Sequence, residues 1–95
     1  MVEQQEEKIF IGVKEIGKYI NAALFGFGKG ETITLVARGK NVKKAIDITA
    51  ILIRDYIEDA EYKVHIDSEK FENRNISTIE IELSGIKKDK EKKWG

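Results

Sequence analysis

Hydrophobic positions in this chain shift between the spacing of a strand and that of a helix, and each shift marks an element. Residues 8–12, KIFIG, are a short apolar run of β-favouring residues closed by glycine, which predicts a buried strand. Over residues 15–27 the period lengthens: Ile16, Tyr19, Ile20, Ala23, Leu24 and Phe27 recur at steps of three and four, and the glycine-rich GFGKG that follows is a helix stop. ETITLVARG, residues 31–39, alternates and is rich in Thr, Ile and Val. It predicts a strand running into a turn at Gly39, with Asn41 placed to cap a second helix over about residues 42–57. AEYKVHIDSEKF and NRNISTIEIEL then alternate around the polar SEKFEN segment, which predicts a long hairpin with Arg74 at or close to its tip. The order β-α-β-α-β-β predicts an α+β fold, a two-layer sandwich whose last two strands form an extended hairpin.

The second helix has an unusually wide apolar face. At about 100° per residue, Val42, Ala45, Ile46, Ile48, Ala50, Leu52, Ile53, Tyr56 and Ile57 spread over roughly 200°, about twice the stripe that packing on one sheet requires. A second copy of the chain is the simplest cover, and Ile48 and Leu52 are the candidate contacts of that homodimer.

Composition narrows the function. At 95 residues the chain is one domain with a modest core, so a deep substrate cavity would compete with stability and a binding module is favoured. The absence of cysteine removes disulfides, thiolate nucleophiles and Cys-based zinc sites together, and fits a reducing compartment. The opening MVEQQEEK is acidic and polar, and no stretch approaches the roughly 20 apolar residues that span a bilayer; the expectation is a soluble, cytoplasmic protein with no membrane partner.

Lys plus Arg and Asp plus Glu both number 17, but a partner feels the local arrangement of charge rather than the sum. Arg38, Lys40, Lys43 and Lys44 crowd residues 37–44, and no carboxylate stands from residue 32 to residue 46. Residues 55–72, by contrast, carry Asp55, Glu58, Asp59, Glu61, Asp67, Glu69 and Glu72 against only Lys63 and Lys70. The closing KKDKEKKW is again net positive and lacks apolar periodicity. The expected organisation is an acidic flexible start (1–7), a folded domain (8–84) and a basic tail (85–95).

Most apparent catalytic motifs dissolve on inspection. GFGKGET has glycines that suit a phosphate loop, but that pattern needs Gly at 23 and Ser or Thr at 30, where Ala23 and Gly30 stand, and the turn follows a helix instead of a strand. His65 is the only histidine, with Asp67 on the same strand face but no positioned nucleophile, and no Cys or second His completes a metal site. Glu80 and Glu82 alternate with Ile79, Ile81 and Leu83 and read as the wet face of a strand. No enzyme and no cofactor or metal is expected. The cationic block differs in kind: it surrounds a strand-to-helix junction, where side-chain charge and helix N–H groups suit phosphate anions. No aromatic residue stands among those cations, so base stacking is not indicated.

Four segments in order, IFIG followed by a lysine, YINAAL, ARGKNVKKAID and NRNISTIEIEL, resemble the Alba family of small archaeal chromatin and RNA-binding proteins over residues 8–83. The resemblance implies a fold similar to the C-terminal domain of a bacterial translation initiation factor and a homodimer. It also implies sequence-independent binding of double-stranded DNA and of RNA, association with the chromosome, and no catalysis. Carried onto this chain, it implies phosphate contacts from Lys14, Arg38, Lys40 and Lys44, with Lys43 at a junction position that need not be basic. It further implies an arm arginine at Arg74 and a contact between neighbouring dimers at Tyr56. Family members often read Gly-Lys-Lys-Pro where this chain has Gly12, Val13, Lys14 and Glu15. In some members acetylation of the first of those lysines modulates DNA affinity. Val13 cannot be acetylated, so the resemblance does not carry that route onto this chain and leaves regulation by lysine acetylation open, and Glu15 lowers the local positive potential. The zero net charge keeps open an alternative, a dedicated RNA-binding protein of a ribonucleoprotein. A protein-interaction module, docking a basic partner on residues 55–72, is the rival of a different class.

Overall fold

The computed structural model describes residues 5–88; the rest of the expected acidic start and basic tail lies outside the described residues. The elements follow the expected order: β1 (Glu6–Phe10), α1 (Ile16–Gly28), β2 (Thr32–Arg38), α2 (Val42–Ile51), β3 (Ile57–Phe71) and β4 (Arg74–Lys87). One tight helical turn, Gly39–Asn41, leads into α2. A wider π-type turn, Leu52–Tyr56, leads out of it, closed by the Ile57 N–H donating to the Leu52 carbonyl. Two boundaries move outward because strand pairing recruits polar residues that hydrophobic spacing does not mark. Glu6 and Glu7 join β1 opposite Thr32 and Ile33, and β4 continues to Lys87, which pairs with Ile57.

The four strands form one sheet in the order β1-β2-β4-β3, with β1 and β2 parallel and the other two pairings antiparallel. Directly paired residues share a face. Ile33 opposite Leu83, Leu35 opposite Ile81 and Ala37 opposite Ile79 are all buried, and this face carries both helices. Tyr19, Ile20, Ala23 and Phe27 of α1 pack there, joined by Ala45 and Ile48 of α2 and by Leu52. Gly26 lets α1 approach closely, since a Cβ at that position would run into Ile33 Cδ1. The other face carries no helix; Thr34, Val36, Glu80 and Glu82 lie on it, with Glu80 and Glu82 as the alternation predicts.

Two expectations need correction. Ile48 and Leu52 are each 0% exposed inside the chain's own core, so neither meets a second copy; they lie on the half of the wide apolar face that packs on the sheet. Asn41 makes no side-chain cap, because the tight turn delivers the chain to α2 already in helical geometry, with the Val42 N–H donating to the Gly39 carbonyl.

The hairpin closes through Glu72 and Asn73, both at positive φ (49° and 66°), the pattern of the tightest two-residue turns. Most of the polar segment expected around the tip is therefore strand: Ser68, Glu69, Lys70 and Phe71 pair with residues of β4.

Candidate nucleic-acid interface

The loop leaving β1 and the start of α2 are tied together at one end of the sheet. Tyr19, buried in α1, accepts on its Oη the N–H groups of Gly12 (2.8 Å) and Lys14 (3.1 Å). Lys44 Nζ reaches the same loop from α2, donating to the carbonyls of Gly12 (2.6 Å) and Lys14 (3.0 Å), and stands 5.8 Å from the centre of the Tyr19 ring. Two side chains thus satisfy four backbone groups of a loop that no neighbouring strand pairs. Its partners are neutral carbonyls, so these contacts fix the position of Lys44 without setting a carboxylate against it. The Lys14 side chain projects from this loop and is exposed.

The remaining cations are not equivalent. Lys40, in the tight turn, is exposed and makes no ion pair among the described residues. Lys43 Nζ lies 3.0 Å from Asp47 Oδ2, one helical turn on. Arg38 follows buried Ala37 in β2 and so leaves the sheet on the face opposite the helices, where its Nη2 lies 2.8 Å from Glu69 Oε1 of β3. The junction is therefore a divided cluster: among the described residues Lys14, Lys40 and Lys44 have no carboxylate partner, and Arg38 and Lys43 are paired.

The hairpin leaves the sheet at this same end. Arg38 opposite Thr78 is the last pairing of β4 with β2, and four further residues of β4 carry the hairpin about 14 Å beyond it as a two-stranded arm. Arg74 is exposed beside the turn, directly opposite Phe71, which is 55% exposed and shares its face. Hydrophobic spacing did not single out Phe71, because nothing in one sequence places an aromatic at a tip until the turn is located. Across the body of the sheet His65 faces Glu80, and no group of three metal-ligating side chains converges among the described residues.

A second feature lies along β3. Tyr62, Val64 and Ile66 pair with Leu83, Ile81 and Ile79 and so share the helix-bearing face, yet they are 61%, 43% and 77% exposed. α2 stops short of them. Between its outer side, Ile46 and Ala50, with Ile53 of the wider turn that follows, and these strand residues runs an apolar groove of about 580 Å³, floored by Ile79 and Ile81. Arg54 lines it next to Asp55. Their side-chain hydrogen bond (2.9 Å), backed by Coulomb attraction, raises the guanidinium pKa, and the same hydrogen bond holds the Asp55 carboxyl below its ordinary range, with Lys88 adding to the effect. Tyr56 is half-buried and packs against the core.

Residues 7–67 match the family model described as Alba. The chain is 36% identical over 87 residues to the DNA/RNA-binding protein Alba of Picrophilus torridus, covering 84% of this chain and 97% of the relative. It is 33% identical over 91 residues to the DNA/RNA-binding protein Alba of Nitrosopumilus maritimus, covering 87% and 95%. Among solved structures, Alba from Thermoplasma volcanium superposes with a TM-score of 0.67 at 34% identity, over 81% of this chain and 98% of that one. An Alba protein of Trypanosoma brucei gives 0.71 at 14% identity over 83% and 68%, a likeness of fold.

Proposed function

The chain belongs to the Alba family, and from that premise we propose that it binds double-stranded DNA and RNA without regard to sequence, as a homodimer, on the chromosome or on stable RNA. One observation carries this reading: Lys14, Lys40 and Lys44, without carboxylate partners among the described residues, gather at the end of the sheet from which the Arg74 arm projects. Its relatives are named for binding DNA and RNA, and the chemistry fits, because ammonium and guanidinium groups meet phosphates without reading bases.

Lys14 and Lys40 make the frontal phosphate contacts, Lys44 adds charge while bracing the Lys14 loop, and the arm lays Arg74 into a groove. Arg38 joins them by exchanging its carboxylate partner for phosphate, and Lys43 contributes least, being paired with Asp47. Two copies pair across the apolar groove between α2 and β3, which takes the place of the Ile48 and Leu52 contact and brings two basic ends onto one surface. Tyr56 stands at the margin for contacts between dimers.

Titration of random-sequence DNA and RNA duplexes tests the reading. Replacing Lys14, Lys40 and Arg74 together with Ala is expected to weaken binding to all sequences alike, by tenfold or more, and to leave the dimer intact. Unchanged affinity contradicts it. Binding confined to RNA moves the chain to the ribonucleoprotein alternative.

A further inference from the structure

We propose that Glu69 is an affinity-setting residue: its carboxylate occupies Arg38 in place of a nucleic-acid phosphate, and the duplex must displace it. The inference deepens the proposed function and rests on it. Arg38 sits at the end of β2, Glu69 at the root of the arm on β3, and the ion pair between them crosses β4 at 2.8 Å. Among the described residues no other junction cation is held by an acid from another element; Lys43 is paired within its own helix, and Lys44 is held by neutral carbonyls. An oxygen of Glu69 therefore stands where a phosphate oxygen would, in the charge-assisted geometry a guanidinium offers to either anion.

The two side chains are 58% and 56% exposed, so the pair is screened by water and weak enough for a polyanion to break. Displacement has two consequences. Arg38 reaches a phosphate only after losing a partner, and the freed carboxylate is left near a negatively charged backbone. Both lower affinity and make Arg38 count for less than a full cation in the salt dependence.

The test is a double-substitution cycle: wild type, Glu69→Gln, Arg38→Gln and the pair, each titrated with a random-sequence DNA duplex by fluorescence anisotropy across a salt series. Both positions are more than half exposed, and thermal melts establish that all four fold. Glu69→Gln is expected to bind about two- to fivefold more tightly than wild type, a range set by the modest strength of exposed ion pairs. The slope of log K against log salt should steepen by up to about 0.9 per chain. In the Arg38→Gln background the same change should give a clearly smaller gain, because only the repulsion between the unpaired carboxylate and the backbone is then relieved. An equal gain in both backgrounds overturns the proposal, since the carboxylate then acts through general repulsion. So does a Glu69→Gln protein indistinguishable from wild type while Arg38→Gln binds more weakly, because Arg38 then meets phosphate without competition. Failure of all four proteins to bind is a different result, and rejects the nucleic-acid reading beneath the proposal.

Discussion

Tyr19 joins folding to function through one oxygen atom. Its ring is core, and its hydroxyl accepts the N–H groups of Gly12 and Lys14. Tyr19→Phe keeps the ring and removes the acceptor, stranding two donors in a partly buried loop. The expected loss is about 1–3 kcal/mol in urea unfolding, together with a severalfold weaker hold on duplex DNA as Lys14 loses its fixed base. Unchanged stability would mean that water replaces the hydroxyl without cost. The sequence marks Tyr19 only as one more apolar position at helical spacing. The cations themselves were legible as a block, but their inequality was not: Arg38 is neutralised by an acid far along the chain, and the sheet topology alone brings the two together.

Among the elements, α2 and β3 border the apolar groove that the proposed homodimer uses. The width of the α2 apolar face was legible, and it correctly indicated more apolar surface than one sheet covers. Which half faces the sheet was not, because hydrophobic period gives the width of a face and not its direction. The strand order β1-β2-β4-β3 decides it by leaving β3 outside the reach of α2, so that Ile48 turns inward and Ile46 outward. Val64→Glu puts a charge into the apolar groove at a position the lone chain leaves 43% exposed. It is expected to convert the dimer to a folded monomer, read by sedimentation together with a thermal melt. Ile48→Ala should do the reverse, costing about 2–5 kcal/mol of stability through the cavity it leaves while the remaining folded protein stays dimeric. A Val64→Glu dimer as tight as wild type would place the interface elsewhere.

For the molecule as a whole, the arm and the charge distribution matter more than the net charge. The described residues span 57 × 34 × 18 Å, elongated by a hairpin that outruns its sheet. The β-α-β-α-β-β order was legible from spacing alone, whereas the arm length was not: residues 68–71 look like loop because an arm exposed on both faces has no apolar side to show. Among the described residues, cations without carboxylate partners collect at the arm end, and the acids of β3 and β4 other than Glu69 lie along the body of the sheet, so charge of the two signs is separated in a chain of zero formal charge. The most direct measurement is the salt dependence of duplex binding by the intact protein. With about four phosphates neutralised per chain, log K for DNA is expected to fall against log salt with a slope near about −7 per dimer, and equally for unrelated sequences. A slope shallower than about −2, or one that changes with base sequence, would contradict binding through the phosphate backbone.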